Sequence, residues 1–134
     1  MSRPSARKHA HNPKAVPAPI RPYYSTCVRV ESGALLFVSG QLGSDTDGRM
    51  VGGGDVKAEA EQALLNIRRI VEEHGATMAD VVKVTVYVTD LDYLDQIAPV
   101  RMKYFPADGP ASVIVEVSAL ALGAKVEIDA IVAV

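Results

Sequence analysis

One cysteine, no tryptophan, two phenylalanines and no apolar run of 18 residues narrow what this 134-residue chain is able to be. With Cys27 alone, no internal disulfide forms and no cysteine-rich metal site exists, which points to a reducing, cytoplasmic setting. Without a long apolar run there is no candidate membrane-spanning helix, and the N-terminus lacks the apolar core of a signal peptide. Several motifs are missing too: no P-loop, no dinucleotide glycine fingerprint and no G-x-S-x-G elbow. Acid is absent before Glu31, whereas Arg3, Arg7, Lys8, Lys14 and Arg21 stand in the first 21 residues and Arg29 follows before it. Residues 22–134 then hold nine basic and sixteen acidic side chains, a net of −7. A basic tail touches phosphates, but this body has no basic surface in excess, so nucleic acid is not an expected partner.

What is present suits one compact domain, since apolar residues make up 49% of the chain. Residues 1–19 have no periodic apolar pattern and read as a flexible basic N-terminal arm, followed by a single domain over 20–134. His9 and His11 form an H-x-H pair in that arm. With no third ligand or carboxylate beside them, no metal site is assigned.

Cys27–Val30 reads as a short strand, and ALLFVSG at 34–40 as a buried one; the turn between them suggests a hairpin. Residues 43–54 are loop, with Asp-Gly and further glycines. Asp55 then caps a helix whose apolar positions Val56, Ala60, Ala63, Leu64, Ile67 and Val71 recur at spacings of three and four. His74 and Gly75 close it, Gly75 as the left-handed residue after the helix. Residues 80–90 alternate as a strand with Val82, Val84, Val86 and Val88 on the buried face. A second helix runs from about Leu91 to Phe105, capped by Asp90 or Asp92 and interrupted by Pro99. GPASVIVEV, residues 109–117, splits Val113, Val115 and Val117 from Ser112, Ile114 and Glu116, so one face is purely apolar. KVEIDAIVAV forms the last strand.

The order is ββαβαββ: an α+β fold with a mixed sheet and two helices on one face. Segments such as ALLFV and AIVAV are apolar on both faces, and one helix layer covers only one. Oligomerisation through the sheet follows. Of the carboxylates on strands, Glu116, Glu127 and Asp129, each is unfavourable if buried without a partner. They point either to water at an edge or to a site.

Taken together, the motifs resemble the Rid family of reactive-intermediate deaminases, formerly the YjgF family. Pro22-Tyr23-Tyr24-Ser25 is similar to its G-P-Y-S, and Leu36-Phe37-Val38-Ser39-Gly40-Gln41 to L-F-V-S-G-Q. Asp80 through Tyr87 is similar to D-V-V-K-T-T-V-F, Tyr104-Phe105-Pro106 to Y-F-P, Pro110 through Val117 to P-A-R-S-x-V-E-V, and Val126 through Ala130 to V-E-I-E-A. The resemblance spans residues 19–134.

It implies a chorismate-mutase-like fold assembled as a homotrimer, with a small-molecule cleft at each subunit interface. It also implies hydrolysis of imines and enamines such as 2-aminoacrylate to ketoacid and ammonia, without metal or cofactor. By the same resemblance Glu127 orients water, Tyr24 shapes the cleft, and Ser39, Gly40 and Gln41 line it. It also places Ser112 and Ile114 in the intersubunit pocket and the valine face of residues 113–117 against the helices. The family's carboxylate-holding Arg is replaced by Ser112, with Ile114 and Ala98 at other positions where the family pattern is polar. A hydrogen bond to a charged group contributes about 1.5–3 kcal/mol, or roughly 10- to 150-fold in binding. Either the ligand lacks a carboxylate, or Arg101 or Arg21 substitutes; the alternative for Arg101 is a solvated helix face or an interface ion pair. The competing function is a non-catalytic, ligand-binding or regulatory trimer with the same cleft. Ribonuclease activity, attributed to some relatives, is disfavoured by the acidic body.

Overall fold

The computed structural model describes residues 7–134. Its strands and helices are β1 (Lys8–His11), β2 (Cys27–Val30), β3 (Leu35–Leu42), α1 (Val56–Glu73), β4 (Val81–Val88), α2 (Leu94–Tyr104), β5 (Ala111–Glu116) and β6 (Val126–Ala133). The sheet runs β3-β6-β4-β5, with β5 parallel to β4 and the other pairs antiparallel. It is an α+β fold with a mixed sheet and two helices, as expected from the ββαβαββ reading, preceded by one further strand.

That further strand is β1. Lys8–His11 falls within the segment expected to be a flexible arm, yet it pairs antiparallel with β2, Lys8 opposite Val30 and His11 opposite Cys27. The hairpin expected between β2 and β3 does not form: β2 pairs with β1 in a two-stranded ribbon, and β3 joins the four-stranded sheet beside β6. Arg7 occupies the junction instead: its guanidinium donates to the carbonyls of Glu31, Ala34 and Val134 and holds the link between β2 and β3.

α1 follows its sequence closely. The Asp55 side chain accepts from the Lys57 N–H, a cap that satisfies one of the free donors of the first turn. All six spaced apolar residues are buried, and each fully buried Val, Leu or Ile contributes about 1.5–3 kcal/mol. Gly75 ends the helix at φ +74°, a conformation with a penalty for any side chain. His74 Nδ1 lies 3.0 Å from the Ile70 carbonyl, a terminus contact. Glu59 departs from the pattern. It is only 2% exposed and accepts from the Lys125 N–H at 2.8 Å, tying α1 to the loop before β6.

The second helix begins with a 3-10 turn, Leu91–Tyr93, capped by Asp90 through the Asp92 N–H. Pro99 lies inside α2 on its exposed side. Glu116 accepts from the Leu91 N–H at 3.0 Å and steadies that turn; among the described residues it makes no ion pair.

The sheet faces correct one expectation. Val84, Val86 and Val88 of β4 and Val126, Ile128, Ala130 and Val132 of β6 form the buried, helix-side face. Ser112 pairs with Val84 and Ile114 with Val86, so these two share that face. Val113 and Val115, expected against the helices, lie on the opposite face and are 43% and 37% exposed. The opposite face also carries Leu35 and Phe37, the latter 71% exposed. The valines are apolar because the sheet has two apolar faces, not because they meet the helices.

Candidate functional site

The feature that organises the site is an irregularity in β3. Val38 pairs with Ala130 and Gln41 with Ile128, so Ser39 and Gly40 together stand opposite Asp129 alone. This is a β-bulge, a device that re-aims neighbouring side chains. The Gln41 side chain braces it by donating to the Ser39 carbonyl at 3.1 Å. Glu127 is half-buried on β6, opposite Leu42 on one side and Tyr87 on the other. Its carboxylate fills the space where a β-carbon on Gly40 would stand. Glu127, Ser39, Gly40 and Gln41 are therefore brought together.

Asp129 is two residues along the same strand face. It does not simply point to water: it accepts from the Thr85 N–H at 3.1 Å and from the Tyr87 hydroxyl at 3.2 Å. The anion beside it holds the Tyr87 phenol above its ordinary pKa, with burial adding to the effect.

A second group forms on the helix side. Arg101 of α2 is 3% exposed, and its Nη2 donates to Ser112 Oγ at 2.8 Å. The guanidinium also stacks over the Tyr23 ring, 4.4 Å from its centre. Burial pushes the Arg101 pKa down to about 10, opposed by the neighbouring tyrosines, so the group stays charged at neutral pH. It is not a solvated face residue, and among the described residues it makes no ion pair. Ile114 and Ala98 are half-buried and pack on the adjoining core.

Tyr24 lies next to this group, its ring 6.0 Å from that of Tyr23. Its hydroxyl accepts from the Ile20 N–H at 3.0 Å. With Asn12, Arg21, Ser25 and Asp108 it borders a cavity of about 480 Å³ under the loop after β1. Arg21, the other cation expected as a substitute anchor, is paired with Asp95 at 2.8 Å.

The two groups are not brought together within one chain. Glu127 pairs with Tyr87 and Ser112 with Val84, positions of opposite parity on β4, so their side chains leave opposite faces of the sheet. Two contributors lie within the quoted motifs but were assigned no role by them: Tyr23, the extra aromatic that seats Arg101, and Tyr87, the partner of Asp129. The tyrosine doublet and the unusual hydroxyl on β4 were the available signals. Among the described residues no three His, Cys, Asp or Glu side chains gather as metal ligands; His9 sits 3.1 Å from Glu31 on the β1–β2 ribbon.

Known proteins match most of this chain in sequence and in fold. The family model described as Endoribonuclease L-PSP matches residues 13–134. Protein DfrA of Myxococcus xanthus is 40% identical over 126 residues, covering 94% of this chain and 95% of its own. A 2-iminobutanoate/2-iminopropanoate deaminase of Bos taurus is 41% identical over 116 residues, covering 86% and 82%. Among solved structures, the Rid-family protein YyfB of Yersinia pestis, itself of unknown function, matches with a TM-score of 0.88 at 32% identity, covering 96% of this chain and 99% of its own.

Proposed function

The chain belongs to the Endoribonuclease L-PSP family, the Rid or YjgF-like proteins, and from that premise we propose that it hydrolyses small reactive imines or enamines in a cleft between subunits. The observation that carries the reading is the Glu127 carboxylate seated over Gly40 at the bulge. A carboxylate held beside exposed backbone is suited to orient a water and take its proton as the water attacks an imine carbon. The addition gives a tetrahedral aminoalcohol, which expels ammonia to leave a carbonyl. Ser39, Gly40 and Gln41 would shape the wall of the cleft that carries Glu127, and Tyr24, Ser112, Ile114 and Arg101 the other.

The separation of the two groups supports a cleft between copies. A ligand touching Glu127 on one sheet face reaches a Ser112 only if another copy supplies it. The exposed apolar face with Leu35, Phe37, Val113 and Val115 is the surface such copies would cover, as a homotrimer. The acidic body argues against RNA as the substrate despite the family's name.

One observation favours a second reading, a ligand-binding trimer without catalysis: the wall opposite Glu127 offers a hydroxyl at Ser112 and an aliphatic group at Ile114. The test is to generate 2-aminoacrylate enzymatically and follow pyruvate formation. Acceleration over buffer supports the deaminase; none, with ligand-dependent stabilisation of the trimer, supports the binding protein.

A further inference from the structure

A phenol hydroxyl has one proton to give and two lone pairs with which to accept. In Tyr87 the proton is committed: the hydroxyl donates to Asp129 Oδ2 at 3.2 Å, and a carboxylate only accepts. Asp129 is itself held, since its Oδ1 accepts from the Thr85 N–H at 3.1 Å. What Tyr87 Oη has left to offer is its lone pairs. Among the described residues the Thr85 hydroxyl alone is also placed to bond this oxygen, and it takes at most one of the two. Tyr87 is the cross-strand partner of Glu127, so the two side chains leave the sheet next to each other on its outer face. Tyr87 is half-buried there.

We propose that Tyr87 is a further ligand-contacting residue of the cleft, whose oxygen accepts the N–H of the substrate nitrogen and holds it beside Glu127. This rests on the cleft proposed above and narrows the substrate class to imines that carry a hydrogen on nitrogen, with their enamine tautomers. Water adds to the imine carbon as one of its protons passes to Glu127; the C=N π pair moves to nitrogen, which takes that proton from Glu127. The aminoalcohol then gives its hydroxyl proton to Glu127, which passes it to nitrogen as the C–N bond breaks. Ammonia and a carbonyl compound leave, and Glu127 ends as the carboxylate it began as. Both deliveries need the nitrogen within reach of Glu127, and the bond to Tyr87 keeps it there. The ketone product has an oxygen in place of the N–H. Tyr87 turns its proton to that oxygen only by leaving Asp129, which gives up a charge-assisted bond. The acceptor that holds the substrate therefore lets the product go.

Binding of oxamate and pyruvate tests this without turnover. The two share a carboxylate, a carbonyl and a shape, but oxamate has an amino group where pyruvate has a methyl. Titrated into the full chain and followed by NMR chemical shifts, oxamate should bind about threefold to tenfold more tightly, the effect of one N–H bond. Tyr87→Phe should remove that preference. Asp129→Asn should remove it by another route. Its amide oxygen stays with the Thr85 N–H, so its amide nitrogen donates to Tyr87 Oη and the phenol proton is released. Tyr87 then becomes a donor, and the two ligands should bind alike. A purely structural role for Tyr87 would weaken both ligands together and leave their ratio intact. Equal binding of the two by the wild type, no binding of oxamate, or an unchanged ratio in Tyr87→Phe would overturn the proposal; Asp129→Asn carries the same test if Tyr87→Phe folds poorly. Ammonia release from imines is assayed separately. Absent turnover with a Tyr87-dependent ratio removes deamination alone, and turnover with a Tyr87-independent ratio removes this role alone.

Discussion

Glu127 and Gly40 are matched in space: the carboxylate of one occupies the volume that a side chain on the other would need. Gly40 is exposed, so its substitution has no core to disturb. Gly40→Ala should therefore push the Glu127 carboxylate aside and lower imine turnover by about 100-fold, the scale on which a displacement of about 1 Å acts. Thermal unfolding should change little. An alanine variant with wild-type turnover would mean that the carboxylate has room to spare and its placement is not set by the bulge.

Arg101 should contribute to stability as well as to binding. Its removal in Arg101→Met loses a charge-assisted bond to Ser112 and the contact with Tyr23. A loss of about 2–4 kcal/mol in denaturant unfolding is expected from such contacts. Ser112→Ala alone should cost less, and a double variant should show the two are coupled.

Lys8 supplies a pH dependence. Burial on β1 pushes its amine from 10.5 down to about 8, opposed by Asp108 and Asp80. Between those two values the unfolded chain binds a proton that the folded chain does not. Stability should rise with pH across the window from 8 to 10.5, and the full penalty of the buried ammonium is present below 8. Lys8→Met should flatten that rise relative to the wild type. A steeper rise in the variant would reverse the sign and contradict the burial argument.

The apolar outer face should govern assembly. Phe37→Glu places a charge where 71% of the side chain is exposed, so the monomer fold has no reason to suffer. Sedimentation should then report monomers in place of the proposed trimers. Trimers that persist in Phe37→Glu would locate the interface elsewhere.

The helix α1 was legible because its period, cap and terminal glycine all agree, and six of its residues are buried as their spacing requires. The strands were legible as strands, but not which face each turned to the helices. Alternation in β5 sorts Val113 from Ser112; it does not say which face is covered when both faces of a sheet are apolar. Arg101 illustrates a different limit. Its contacts with Ser112 and Tyr23 depend on how α2 is set against the sheet, which no local pattern encodes. Likewise β1 was hidden because four residues, Lys8–His11, carry no apolar alternation; their pairing comes from β2 and from Arg7 at the junction. The motif residues around Gly40 were readable, whereas the bulge that joins them to Glu127 is a matter of register.

The central claim, imine hydrolysis directed by Glu127, is tested most directly by ammonia and pyruvate release from 2-aminoacrylate generated in situ, comparing the wild type with Glu127→Gln. The glutamine keeps the size and removes the base, so the account predicts clear acceleration by the wild type and a fall of about 100- to 10,000-fold in the variant. Equal rates in the two proteins, or no acceleration by either, would contradict it.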